Sequence, residues 1–90
     1  MEKINGVEIT YEYLGDSGVN INHFYVPPSI RREGIGTKVI QELISKFKDE
    51  ELDYIVVNMK GGESAVSFLN SNNFNVVDRC NQSVTAEMDI

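Results

Sequence analysis

From Val7 to Leu14 the chain alternates apolar and polar residues, Val7-Glu-Ile-Thr-Tyr-Glu-Tyr-Leu14, the period-two signature of a half-buried strand. Gly15-Asp-Ser-Gly18 predicts a turn, and Val19 to Val26 a second strand returning beside the first. A short strand at Lys3-Ile4 precedes Asn5-Gly6, a dipeptide suited to a two-residue hairpin loop. The period then changes. Val39, Ile40, Leu43, Ile44 and Phe47 recur at helical spacing and predict a helix over about 37–48 with one core-facing stripe. Asp53 to Met59 is apolar at Ile55, Val56 and Val57 alike, which predicts a central strand covered on both faces. Gly61-Gly62 breaks the chain before a second helix, Glu63 to Ser71. Two closing strands, Asn75 to Arg79 and Ser83 to Met88, join around Asn81-Gln82. The strands before and after the first helix form a βαβ unit, hence a parallel pair with a right-handed crossover. The expectation is an α/β (α+β) domain over residues 1–90: a single mixed, mostly antiparallel sheet with two helices.

One junction in this pattern carries chemistry. The strand ending at Val26 stops at Pro27-Pro28, and Ser-Ile-Arg31-Arg32-Glu-Gly34-Ile35-Gly36-Thr37 leads into the helix. The first amides of a helix lack intrahelical partners and carry the positive end of its dipole, so a diphosphate fits there. Glycines let the backbone turn tightly and approach an anion closely. Arg31 and Arg32 add forked donors and charge. No Gly-Lys-Ser/Thr ends the loop, and no third glycine completes a dinucleotide fingerprint. By these physics alone it is an anion site or an ordinary glycine-bearing turn.

The longer pattern Val26-x-Pro28-x-x-Arg31-x-x-Gly34-x-Gly36 resembles the acyl-CoA-binding motif of the GNAT N-acetyltransferases. Tyr54-Ile-Val-Val-Asn58 resembles the family's next strand. Ala65-Val-Ser-Phe-Leu-Asn-Ser-Asn-Asn-Phe74 resembles its helix Ala-x-x-x-Tyr-x-x-x-Gly-Phe. The resemblance runs over roughly residues 7 to 80. It implies a GNAT-like fold and an acetyl-CoA donor held by Phe24, Tyr25, Val26, Arg31, Arg32, Gly34, Ile35, Gly36, Thr37 and Phe68. It implies a backbone N–H near Tyr25 or Val26 as oxyanion donor, and attack by a small-molecule or peptide amine. Two departures stand out. Leu69 occupies the place of the tyrosine that often protonates the leaving thiolate, and Gly62 that of an asparagine. Asn73 replaces a glycine, a mild change because Asn tolerates the left-handed conformation. The family's two N-terminal helices have no counterpart in the few residues before Val7, so the expected domain is a truncated one.

Composition narrows the field. A net charge of −6 argues against nucleic acid and suits a cationic acceptor. One cysteine and one histidine allow neither an intrachain disulfide nor a four-ligand zinc site, so no metal is expected. No apolar run reaches membrane-spanning length and no leader precedes Ile4, which predicts no membrane partner and a cytoplasmic protein. If Gly15 faces Gly18, Glu8, Thr10, Glu12, His23 and Tyr25 share a hairpin face too polar for a buried layer, expected to be open to water, to an acceptor or to the second subunit of a homodimer.

Amine acetylation needs a base for the ammonium proton. His23 is the one histidine, on the strand expected to flank the thioester. If Gly15 faces Gly18, Thr10 lies opposite His23, with Glu8 and Glu12 diagonal. Glu12 or Glu8, working through water, are equal candidates. Tyr25 could supply the missing acid, although packing is its commoner use; Lys38 meets the donor's extra phosphate or only solvent; Phe68 reads as core; Cys80 reads as a small buried residue. Two functions remain: an acetyl-CoA-dependent N-acetyltransferase, or a CoA-binding or interaction module without turnover.

Overall fold

The computed structural model describes residues 2–31 and 33–90; Met1 and Arg32 lie outside the described residues. The chain runs β1 (Glu2–Ile4), β2 (Val7–Leu14), β3 (Gly18–Tyr25), α1 (Ile35–Asp49), β4 (Tyr54–Lys60), α2 (Glu63–Ser71), β5 (Asn75–Cys80) and β6 (Ser83–Asp89). The strands form one six-stranded sheet in the order β1-β2-β3-β4-β6-β5. β3 and β4 pair in parallel and every other neighbouring pair is antiparallel. The mixed sheet with two helices is therefore the observed architecture.

Local chemistry explains the corners. Ile4 pairs with Val7 across Asn5-Gly6, both at positive φ (52° and 87°), as a primed hairpin turn needs. Cys80 pairs with Ser83 across Asn81-Gln82, where Asn81 alone takes a positive φ, 57°. Asn73 takes φ 68° at the end of α2, and the Phe74 N–H closes the helix on Leu69 O at 2.9 Å.

Both helices pack on one face of the sheet. The α1 stripe (Val39, Ile40, Leu43, Ile44, Phe47) and Ala65 and Leu69 of α2 join Val7, Ile9, Val19, Ile21, Ile55, Val57, Val84 and Ala86 in one buried cluster. The helices meet where the Gln41 side chain donates to Asn72 Oδ1 at 3.0 Å. This corrects the expectation of a strand covered on two faces. Ile55 and Val57 are fully buried, whereas Val56 points the other way and is half-buried. An apolar residue on the open face made that strand read as doubly covered.

The hairpin register also differs from its expected form. Pairing follows the predicted line at Glu8↔Tyr25, Ile9↔Phe24 and Thr10↔His23, then slips to Tyr11↔Ile21, Glu12↔Asn20 and Leu14↔Gly18. Asn22 is the extra residue of a β-bulge, which lets Ile21 and Phe24, three apart, both reach the core. Glu12 thereby faces Asn20 and loses its diagonal relation to His23.

Candidate functional site

The bulge coincides with the point where the sheet opens. Parallel pairing of β3 with β4 ends at Ile21↔Val57. Beyond it both strands continue without each other, β3 to Tyr25 and β4 to Lys60. At the fork, on the open face, the Asn58 side chain donates to Asn20 Oδ1 (3.1 Å) and accepts from the Thr85 hydroxyl (2.8 Å). These bonds tie β3, β4 and β6 together just below the opening.

The splay makes a cleft of about 500 Å³. One wall is the end of β3, Phe24 and Tyr25, followed by Val26. The other is Met59, Lys60 and Gly61 at the end of β4, with Ser64, Ala65 and Phe68 of α2. Its base is the start of α1: Gly34, Ile35, Gly36 and Thr37. The first helical hydrogen bond runs from the Lys38 N–H to Gly34 O, so the amides of Ile35, Gly36 and Thr37 precede it, and no side chain caps that end. Gly34 sits at φ 72°, in the left-handed region. At Gly36 a Cβ would stand 3.1 Å from Val26 Cγ2 and 3.3 Å from Phe68 Cε1, so the loop and the α2 wall close on each other because that Cβ is missing. The helix begins at Ile35, two residues earlier than its pattern suggested, because Gly34 turns the chain into it.

Arg31 Nε donates to Val26 O at 2.8 Å, and its guanidinium lies 5.7 Å from the Tyr25 ring centroid. That leaves its terminal amino groups for a ligand. Tyr25 is 38% exposed and stacks on His23 (centroids 6.3 Å, 23° between planes). His23 Nε2 lies 3.3 Å from Glu8 Oε1. His23, Tyr25 and Arg31 thus form a column from the open face to the helix start. Tyr25 serves as cleft rim, not as core packing.

Of the cofactor candidates read from the sequence, every one but Arg32 lines this cleft; Arg32 lies outside the described residues. Of the catalytic candidates, His23 stands beside the rim with Glu8, while Glu12 is set apart by the bulge. Lys38 is exposed and does not line the cleft. Phe68 is half-buried and forms cleft wall as well as packing on Phe24, with centroids 5.6 Å apart. Leu69 is fully buried and brings no proton donor; the hydroxyls lining the cleft belong to Tyr25, Thr37 and Ser64. Cys80 is exposed, contrary to expectation, because its strand lies at the sheet edge, where it ends in a turn. Sequence reasoning missed Lys60, whose one available signal was its position at the end of the strand that diverges from β3. Among the described residues no group of three or more His, Cys, Asp or Glu could hold a metal, and no helix is long and apolar enough to cross a membrane.

Comparison with known proteins fits this geometry. Residues 6–74 match the sequence model of the Acetyltransferase (GNAT) family. No curated protein matches by sequence. Among solved structures, Ard1 from Thermoplasma volcanium superposes with a TM-score of 0.81 at 14% identity, covering 98% of this chain and 67% of that one. A GNAT family acetyltransferase from Elizabethkingia anophelis, with acetyl-CoA bound, gives 0.75 at 14% identity, covering 98% and 72%. The ribosomal-protein-S18-alanine N-acetyltransferase from Escherichia coli gives 0.79 at 17% identity, covering 98% and 65%. The chain thus spans about two thirds of the length of these neighbours.

Proposed function

The chain belongs to the GNAT acetyltransferase family, and on that premise we propose that it moves an acetyl group from acetyl-CoA to an amine by direct attack. The observation that carries the reading is the forked cleft, which opens at the uncapped amides of α1 beside Arg31. Those amides and the guanidinium suit the donor's diphosphate. The pantetheine arm, itself an amide chain, would lie along the β3 edge that β4 has left unpaired. A backbone N–H near Tyr25 or Val26 would receive the carbonyl oxygen as it becomes an oxyanion.

The amine arrives as an ammonium and must lose a proton before its nitrogen can attack. His23, held by Glu8 at the cleft rim, is positioned to take it, directly or through one water. The nitrogen then bonds to the carbonyl carbon, the C–S bond breaks, and the amide leaves the oxyanion site. The departing sulfur takes a proton from a rim group or from water, because buried Leu69 has none to give.

The buried Leu69 also favours a second reading, a domain that binds CoA without turning it over. Titration calorimetry with acetyl-CoA, followed by assay of CoA release over polyamines, antibiotics and lysine peptides, separates the two. Binding with release supports the enzyme; binding without release across the panel supports the module; absence of binding sinks both. Under the enzyme reading His23→Ala lowers the rate about a hundredfold, the usual contribution of a positioned base, and leaves acetyl-CoA affinity unchanged.

A further inference from the structure

The cleft is positively charged in a protein that is not. The chain has 14 acidic and 8 basic residues. Yet the residues lining the cleft include no carboxylate and two cations, Arg31 and Lys60. Neither cation is in the ion pairs of the described residues, which join His23 to Glu8, Lys46 to Glu50 and Arg79 to Glu63. Arg31 stands on the loop after β3, and Lys60 closes β4 on the opposite side of the fork. Cations that stand in no ion pair and line one cavity of a net-negative chain focus a field there that draws anions.

Lys60 also breaks the character of its wall. Met59, Gly61, Ser64, Ala65 and Phe68 offer apolar surface, backbone and one hydroxyl, but no other charge. An ammonium is a compact point charge on a flexible stem, able to reach a phosphate without a planar partner. Lys38, one turn into α1, is exposed and outside the cleft, so it lacks that access.

We propose that Lys60 is a donor-binding residue: its ammonium reaches from the β4 wall to a phosphate of the acyl-carrying nucleotide, so the anion is held from both sides of the fork. This rests on the acetyl-CoA reading above. It adds a contact outside the glycine loop and makes β4 a determinant of donor choice, favouring phosphorylated carriers over neutral thioesters.

The test uses Lys60→Gln, with Lys60→Arg and Lys38→Gln beside it, titrated with acetyl-CoA at low and at high salt. The expected result is about a tenfold loss of affinity for Lys60→Gln at low salt, as for a lost charge-assisted hydrogen bond. The loss shrinks at high salt, because screening weakens the wild-type contact. Lys60→Arg restores most of the affinity and Lys38→Gln retains all of it. With acetyl-pantetheine, which carries no phosphate, wild type and Lys60→Gln perform alike. Equal acetyl-CoA affinity of Lys60→Gln and wild type overturns the proposal. So does an equal loss with acetyl-pantetheine, which would mark a role in chemistry or folding. If wild type itself fails to bind acetyl-CoA, the functional reading falls first, so the two failures are distinguishable.

Discussion

At the scale of single residues, the two loop glycines do different work. Gly34 has open space where a Cβ would go, but its φ of 72° penalises any side chain. Gly34→Ala should therefore cost about 1 kcal/mol of stability, read as a lower denaturation midpoint, through the left-handed backbone alone. Gly36 has an ordinary φ but no room, with Val26 and Phe68 at 3.1 and 3.3 Å from a virtual Cβ. Gly36→Val should push those two walls apart and lower acetyl-CoA affinity at least about tenfold, an effect of the size expected when a preorganised anion site is displaced. Leu69 offers a sharper contrast. Installing the family's tyrosine there, Leu69→Tyr, should not raise turnover, because that position faces the buried core. It should instead destabilise by about 1–3 kcal/mol through overpacking, measured by thermal unfolding. A rate increase without loss of stability would show that the side chain reaches the cleft.

At the scale of elements, much of the fold was legible. Hairpin loops at Asn5-Gly6 and Asn81-Gln82, the α1 stripe and the span of α2 follow from turn chemistry and periodicity, and the structure keeps them. What period-two reasoning lost was the bulge at Asn22. The only trace was that Ile21 and Phe24, three apart, are both strongly apolar, which no regular strand can bury on one face. Missing it placed Glu12 beside His23 and hid the geometry that opens the fork. The tip of the same hairpin is fastened by charge. The Tyr13 hydroxyl donates to Glu50 Oε1 at 2.9 Å, and Lys46 pairs with Glu50 one helical turn away. The Lys46 hydrogen bond, then that of Tyr13, holds the Glu50 carboxyl below its ordinary pKa; the bond to Glu50 holds Lys46 and Tyr13 above theirs. A depressed carboxyl gives stability that is present above its unfolded value and lost as pH falls through the folded one. Raised Lys46 and Tyr13 give stability that is lost as pH rises through their folded values, at the alkaline end. Glu50→Gln should lower the melting temperature slightly at neutral pH. The difference from wild type should vanish in acid below the usual carboxylate range and narrow again in strong alkali. A difference constant from acid to alkali would refute this origin.

At the scale of the whole molecule, one cleft draws on β3, α1, β4 and α2 together, so binding of the proposed donor would be linked to folding. A ligand that binds only the folded state at 100 times its dissociation constant adds about 2.7 kcal/mol. For a domain of this size that means a melting temperature roughly 10 °C higher or more, rising with the logarithm of acetyl-CoA concentration. A melting curve indifferent to acetyl-CoA would contradict the site. The uncovered sheet face matters here as well. His23 and Tyr25 stand on it beside the cleft mouth, so under the proposed function an acceptor would approach over this face without any element of the described residues moving aside.

The exposed sulfur at the end of β5 has a practical consequence. Colorimetric reagents such as Ellman's would titrate the protein itself, up to one equivalent per chain, before a single catalytic cycle. In air the same atom could trap the released product as a mixed disulfide and so imitate slow turnover. A Cys80→Ser protein, or detection of the acetylated amine by mass, keeps that background out of the measured velocity.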